Sequence, residues 1–184
     1  KWPNWNTVPL QTYQGGLNAE PLSGGTPTGY YLKKYCQTAV DLRAGTASKT
    51  YHSWITFRFG EFYLNYAEAV YKYLGSPYAT DNEFTTSAGF PQGMTNDAFW
   101  KKYQNERMVE LAFEGHRFWD VRRWKEGDKH FKNIVEMKIT KNGDDTYTYE
   151  RKVKERSWDD KMYFFPIPQS EKSKNPNLEQ NPGW

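Results

Sequence analysis

The sequence predicts a mainly α-helical fold with one small β-hairpin and long loops. Apolar side chains recur at helical spacing along Arg58–Leu74, where charged residues occupy the remaining helix surface. Two segments of alternating polarity flank the dipeptide Asn142-Gly143, which is a strong hairpin turn signal. Residues 1–57, in contrast, contain frequent glycines and no regular period, and this pattern is typical of loops.

The first third of the chain, residues 1–57, is predicted to be loop-rich. Its best strand candidate is Tyr30–Tyr35, a short aromatic segment that follows a glycine-rich stretch. An irregular segment of this length is unusual inside a compact domain. We therefore expect it to run over a scaffold that is supplied partly by an N-terminal portion missing from this chain.

The helical region is expected to cover residues 58–124. Its first helix, Arg58–Leu74, should end at Gly75, because glycine readily adopts the left-handed conformation found at helix C-termini. The second helix should run from about Asn96 to Glu114, where a glycine interrupts the pattern. A further short helix is expected over His116–Trp124, which carries two aromatic residues and a valine ahead of its last tryptophan.

The C-terminal third should contain the hairpin and an extended tail. Strands over Ile134–Thr140 and Thr146–Val153 are expected to pair with each other within residues 131–153. Residues 163–184 contain four prolines, and proline is not tolerated in a helix interior. The tail is therefore predicted to be extended and strapped onto the body of the protein. The prolines are Pro166, Pro168, Pro176 and Pro182.

Composition argues against several functional classes. The formal net charge is +3, which is too small to favour a nucleic acid or a membrane surface as the partner. No apolar run approaches the roughly 20 residues of a transmembrane helix. The single cysteine, Cys36, excludes an internal disulfide framework. Aromatic residues make up 18% of the chain, so aromatic rather than aliphatic side chains should supply most of the buried apolar surface.

The densest ionisable cluster lies between Glu106 and Trp124. Glu106, Glu110 and Glu114 are four residues apart and share one helix face. One interpretation is the carboxylate pair of a glycosidase. Four residues of helix rise about 6 Å, which is close to the separation of the two carboxylates in such enzymes. However, side chains on one face point the same way, whereas such carboxylates must flank a sugar. The favoured interpretation is a structural network in which arginines pair with partly buried carboxylates. Its expected members are Glu106, Arg107, Glu110, Glu114, Arg117, Asp120 and Arg122.

No catalytic residue, metal ligand set or cofactor is predicted. The three histidines, His52, His116 and His130, lack metal-ligand spacing. Motifs for phosphate binding, dinucleotide binding and a nucleophilic serine are absent from the sequence. Nothing beside Cys36 in the sequence supports a nucleophilic thiol. A carbohydrate-active hydrolase remains the enzymatic alternative, and it would require two carboxylates facing each other across an open cleft.

Several sequence blocks, taken in order, resemble one known family. The longest is the string E-L-A-F-E-G-H-R-F-W-D-V-R-R-W, and the chain closes on N-P-x-L-x-Q-N-P-G-W. Together these blocks resemble the C-terminal part of SusD/RagB-family proteins, from about residue 29 to the end. The blocks are Gly29–Tyr35, Arg58–Ala69, Glu106–Trp124, Phe165–Glu171, Asn175–Leu178 and Gln180–Trp184.

The resemblance implies a fold, a location and a function. SusD-like proteins have a helical scaffold of tetratricopeptide-like helix pairs, from which long loops build the ligand site. They are lipoproteins on the outer face of the outer membrane, and their lipid-bearing cysteine lies near the N-terminus, so Cys36 is not that residue. They bind oligosaccharides or peptides without catalysis and pass them to a SusC-like TonB-dependent transporter. The resemblance also implies that this segment packs against its own N-terminal segment.

The ligand-binding residues are inferred from physical chemistry, because the family's glycan contacts do not map onto the matching blocks. Sugars present apolar C–H faces on which an exposed indole ring can stack. The loop tryptophans Trp2, Trp5 and Trp54 are therefore the candidate ligand-binding residues. Two other interpretations remain open: a tetratricopeptide-like module that binds a protein partner, and a SusD-like protein that binds peptides instead of glycans.

Overall fold

The computed structural model describes residues 10–19, 30–36, 51, 53–76 and 89–184. The chain divides into two compact units, Tyr51–Val121 in one and Lys1–Thr50 with Arg122–Trp184 in the other. Helices dominate the described residues, and a two-stranded antiparallel sheet is present in them. The predicted fold class, mainly α with a small β-hairpin, is therefore confirmed. Among these residues, no helix is both long enough and apolar enough to span a bilayer.

Helix α1, Phe59–Leu74, begins one residue later than predicted and ends where predicted. Arg58 precedes it in an extended conformation, with φ −149° and ψ 160°. Gly75 ends the helix with φ 72°, and its N–H donates to the carbonyl of Tyr71 at 3.1 Å. This left-handed C-cap is the role that glycine performs with least strain.

Helix α2, Asn96–Glu110, starts where predicted, with the Thr95 hydroxyl accepting a hydrogen bond from the N–H of Ala98. It ends four residues before the predicted Glu114. Phe113 adopts a positive φ of 63°, which a helix cannot accommodate. Residues 111–115 therefore form turns, and helix α3, His116–Arg123, follows.

The core of the Tyr51–Val121 unit is aromatic. Phe90, Phe99 and Tyr103 are almost completely buried, with ring centroids 5.1 Å apart for Phe90 and Phe99 and 5.9 Å apart for Phe99 and Tyr103. Helix α2 carries two of these rings and packs against α1. The Tyr103 hydroxyl donates to the buried Glu68 carboxylate of α1 at 2.6 Å. Aromatic side chains thus supply both the apolar core and a polar bond inside it.

The second unit contains the hairpin. After the short helix α4, Gly127–His130, strand β1, Asn133–Lys141, pairs antiparallel with β2, Tyr147–Glu155. The strands are slightly longer than predicted. Around the turn, the N–H of Asn142 donates to the carbonyl of Thr146 at 2.9 Å, and Asp145 has φ 61°.

Two local predictions were wrong. Tyr30–Tyr35 is not a strand, because Tyr35 has φ 67° and the N–H of Cys36 donates to the carbonyl of Lys33 at 3.1 Å, which closes a turn. The tail is not wholly extended either. A 3₁₀-helix, Asp160–Tyr163, ends at its first residue, and helix α5, Gln169–Lys174, lies within it. Prolines flank α5 at residues 168 and 176 without entering it, so they are compatible with this helix.

The closing Q-N-P-G-W block folds back onto the start of the tail. The Gln180 side chain binds both backbone groups of Ile167, accepting from its N–H at 2.8 Å and donating to its carbonyl at 3.0 Å. The indole N–H of Trp184 donates to the carbonyl of Lys161 at 3.0 Å. The Lys161 ammonium lies 4.7 Å from the Trp184 ring centroid. This block therefore has a structural role in holding the tail.

We predict that Gly127→Ala destabilises the protein by about 1–3 kcal/mol. Gly127 is buried, and a Cβ added there would overlap the Trp158 ring, which also packs on Phe131 and Tyr163. The measurement is the free energy of unfolding in urea. Gly143→Ala is the matched control, because no atom lies within 4 Å of its added Cβ. Equal stability of the two variants would contradict the packing described here.

The hairpin turn should loosen in acid. The hydrogen bond and charge of Lys141 lower the pKa of Asp145 below 3.8, and hydrogen bonds from Thr146 lower the pKa of Asp144. A depressed folded-state pKa gives stability that is present above pH 3.8 and is lost as the pH falls through the folded value. Carboxyl chemical shifts measured by NMR should show both aspartates titrating below 3.8. In Lys141→Ala, Asp145 alone should return towards 3.8, and a parallel change at Asp144 would contradict the assignment.

Candidate functional site

Arg58 fixes the loop that precedes α1. Its Nε donates to Oε2 of Glu114 at 2.8 Å, its Nη1 binds the Glu110 carboxylate, and its Nη2 donates to the Glu110 backbone carbonyl at 2.6 Å. The Glu114 side chain is only 4% exposed, whereas that of Arg58 is 25% exposed. The hydrogen bond that Arg58 donates to Glu114 is the largest of the effects that raise the pKa of Arg58 above its ordinary value. The guanidinium is therefore a permanent anchor between the loop and the end of α2.

A second cluster joins α1, α2 and α3 inside the same unit. Arg107 of α2 donates through Nε to Oδ2 of Asp120 at 2.6 Å, and through Nη1 to Oδ1 of Asn65 at 2.7 Å. The Arg107 and Asp120 side chains are 6% and 4% exposed. Near Asn65, the buried Glu61 lies 3.8 Å from Nε2 of His116. Paired charges thus replace apolar contacts at the point where the three helices meet.

The residues of the predicted charge network lie in separate groups and not in one continuous network. Glu110 and Glu114 bind Arg58, whereas Arg107 and Asp120 bind each other. Glu106 and Arg117 are half-buried. Arg122 belongs to the other unit, where it donates to the backbone carbonyls of Met162 and Tyr163.

Sequence reasoning missed Arg58 as the partner of Glu110 and Glu114. Several arginines lie in the same segment as these carboxylates, whereas Arg58 lies 52 and 56 residues away along the chain. Both carboxylates bind one guanidinium, so they do not face each other across a cleft as a glycosidase pair must.

Trp54 lies in an exposed aromatic run that leads into α1. We call residues 53–58 the pre-α1 loop. Its Trp54 side chain is 65% exposed, and Phe57 and the nearby Tyr51 are exposed as well. The loop contains no helix or strand, and the anchored Arg58 is its last residue. The other two tryptophan candidates, Trp2 and Trp5, lie outside the described residues.

The exposed aromatic surface continues onto α1. The Phe59 and Phe62 side chains are 77% and 61% exposed, and their ring centroids are 6.4 Å apart. Phe59 also lies 6.0 Å from the Tyr63 ring. Exposed rings of this kind can bind apolar faces of a ligand. Within the described ranges, no three His, Cys, Asp or Glu side chains form a metal site.

Removal of Arg107 should strand a buried charge. We expect Arg107→Ala to lower the free energy of unfolding by about 3–5 kcal/mol, because Asp120 would remain buried without its cation. The double variant Arg107→Ala/Asp120→Ala should be less destabilised than the sum of the two single variants. Lys101→Ala, at an exposed position of α2, is the control and should change stability by less than about 0.5 kcal/mol. Strictly additive single and double variants would show that the pair is not coupled.

Comparison with known proteins places the chain in a family. The model of the SusD family matches residues 4–184. A crystal structure of a SusD-like protein from Bacteroides fragilis superposes with a TM-score of 0.77 at 28% identity, over 96% of this chain and 34% of that one. Another solved structure, BT4246, has a TM-score of 0.55 at 32% identity, over 76% of this chain and 25% of that one.

The share of each chain that is matched determines what the comparisons show about this protein. No curated protein matches the chain. The chain spans about one third and one quarter of the lengths of the two solved structures. The family match, however, covers almost every residue and includes both arginine clusters and the closing block of the tail. The chain belongs to the SusD family.

Proposed function

We propose that this protein binds nutrient oligosaccharides at the outer-membrane surface and delivers them to a SusC-like TonB-dependent transporter, without converting them chemically. The proposal includes a lipid anchor and an N-terminal segment that lie outside this chain. Family membership supports the general role in nutrient binding. The observation that carries the choice of site is the exposed Trp54 on a loop whose end is fixed by Arg58.

Stacking on an indole suits a sugar because both surfaces are flat and amphipathic. A tryptophan ring offers a large apolar face at little loss of side-chain freedom. Fixing the loop before binding reduces the entropy that is lost when the ligand orders it. Arg58 contributes to binding indirectly in this way, by holding the end of the pre-α1 loop.

A binding role without turnover is consistent with the contacts that the carboxylates make. Glu110 and Glu114 are bound by one guanidinium, and Asp120 is buried against Arg107. Two carboxylates held on one guanidinium do not flank a substrate from opposite sides, as the pair of a glycosidase must. We therefore propose no catalytic step at either cluster.

A peptide or protein ligand is the second candidate. The observation that favours it is the exposed pair Phe59 and Phe62 on α1. Phenylalanine rings offer no hydrogen-bonding group for sugar hydroxyls, whereas they fit apolar side chains well. A panel of oligosaccharides and hydrophobic peptides, titrated in parallel, separates the two candidates.

Trp54→Ala should weaken oligosaccharide binding by at least about tenfold, because an aromatic platform is lost, while the unfolding transition stays unchanged. Isothermal titration calorimetry against fragments of starch, cellulose, mannan and xylan measures the affinity. Tyr73→Ala removes another ring, 88% exposed at the end of α1, and should leave binding intact.

Two results would count against the proposal, in different ways. Unchanged affinity in Trp54→Ala would show that Trp54 is not the binding residue. Release of shorter sugars after long incubation, detected by chromatography, would show that the protein is an enzyme.

A further inference from the structure

The two faces of the hairpin differ in chemistry. Side chains alternate between faces along a strand, so Tyr147, Tyr149, Arg151 and Val153 of β2 share one face. Tyr149 lies opposite Ile139 of β1, and Tyr147 lies opposite Lys141. The other face is charged, with Lys154 and Glu136 paired at 3.0 Å among other ion pairs. One face of the hairpin is thus mostly charged, and the other is mainly aromatic and apolar, with Lys141 and Arg151 beside the rings.

A third tyrosine joins this aromatic face. Residues 10–19 run along β1, where the N–H of Gln14 donates to the carbonyl of Ile139 at 2.7 Å. This bond places Tyr13 beside Tyr147, with ring centroids 5.8 Å apart and planes inclined by 50°. Tyr147 is 44% exposed and Tyr149 is 65% exposed. The three rings belong to one unit of the chain and present open surface near the turn.

Polar groups of fixed orientation border the rings. Nζ of Lys141 binds Oδ1 of Asp145 at 2.6 Å, and Oδ1 of Asp144 accepts from the Thr146 hydroxyl at 2.6 Å. The amide of Asn142 also binds Thr146, at 2.8 Å. These groups can donate to and accept from hydroxyl groups of a ligand. Lys141 and Arg151 on this face balance Asp144 and Asp145 of the turn. The surface around the rings therefore carries no net charge that would favour a charged ligand.

We propose that Tyr13, Tyr147 and Tyr149 form a platform that binds a neutral oligosaccharide, separate from Trp54. The proposal rests on the proposed function, because it takes the same class of ligand. Tyrosine rings supply flat surfaces for the C–H faces of sugars, and their hydroxyl groups together with the turn residues supply hydrogen bonds. The hairpin holds Tyr147 and Tyr149 in place through the β1–β2 ladder, so little order is lost on binding.

The test uses the full chain and the same panel of starch, cellulose, mannan and xylan fragments, measured by isothermal titration calorimetry. Tyr147→Ala/Tyr149→Ala should weaken binding by about tenfold, both alone and in a Trp54→Ala background. Tyr147→Phe/Tyr149→Phe keeps both rings and should bind within about threefold of the native chain, because the stacking surface remains. Val153→Ala, on the same face but away from the turn, is the control for hairpin stability and should not change affinity.

The outcomes test the tyrosine platform separately from the proposed glycan-binding function. Loss of affinity in the Tyr→Ala pair, with the Phe pair and Val153→Ala unaffected, supports the platform. Native affinity in the Tyr→Ala pair, with loss in Trp54→Ala, overturns the platform and leaves the proposed function standing. If no saccharide of the panel binds the native chain, the platform and the glycan-binding function are both overturned.

Discussion

The ion pair between Arg107 and Asp120 is the interaction on which the helical unit depends. Both side chains are almost fully buried, and each charge is compensated there by the other, 2.6 Å away. Asn65 satisfies a further guanidinium N–H, so one arginine of α2 binds both α1 and α3. An apolar core could shift in register, whereas a directional bond of this kind fixes how the three helices meet.

Arg58 performs a related task at the surface. It binds Glu110 and Glu114 and so connects the last residue of the pre-α1 loop to the end of α2. The exposed Trp54 lies four residues before this anchor. The position of the loop that carries Trp54 therefore depends on the position of α2, which in turn depends on the buried Arg107–Asp120 pair.

The parts of the fold that could be predicted are those with local causes. Helix α1 with its glycine stop, and the turn signal at Asn142, are readable within a few residues of sequence. The predicted faces of α1 were wrong in part, because Glu61 is buried and Phe59 and Phe62 are exposed. The end of α2 was not predictable in this way, because nothing in the sequence signals the positive φ of Phe113. The partner of Glu110 was missed for a different reason: it lies far away in sequence and is brought close only by the packing of α1 on α2.

The candidate sites also differ in whether their features have a local cause in the sequence or depend on distant residues. The sequence placed Trp54 in a loop, and its side chain is exposed there. The tyrosine platform was not foreseen, because Tyr13 reaches Tyr147 through a backbone bond between segments more than a hundred residues apart. The spacing of the charged motif resembles that of a catalytic pair. The shared helix face argued against that role from the sequence, and the structure adds one guanidinium that binds both Glu110 and Glu114.

The most direct test of glycan binding at the pre-α1 loop is an NMR titration of the full chain with an oligosaccharide identified by calorimetry. The indole N–H resonance of Trp54, assigned with Trp54→Phe, should shift and saturate with added ligand. The indole of Trp100, which is stacked between Tyr71 and Tyr103, should stay in place. A Trp54 resonance that remains unmoved at saturating ligand would contradict the account.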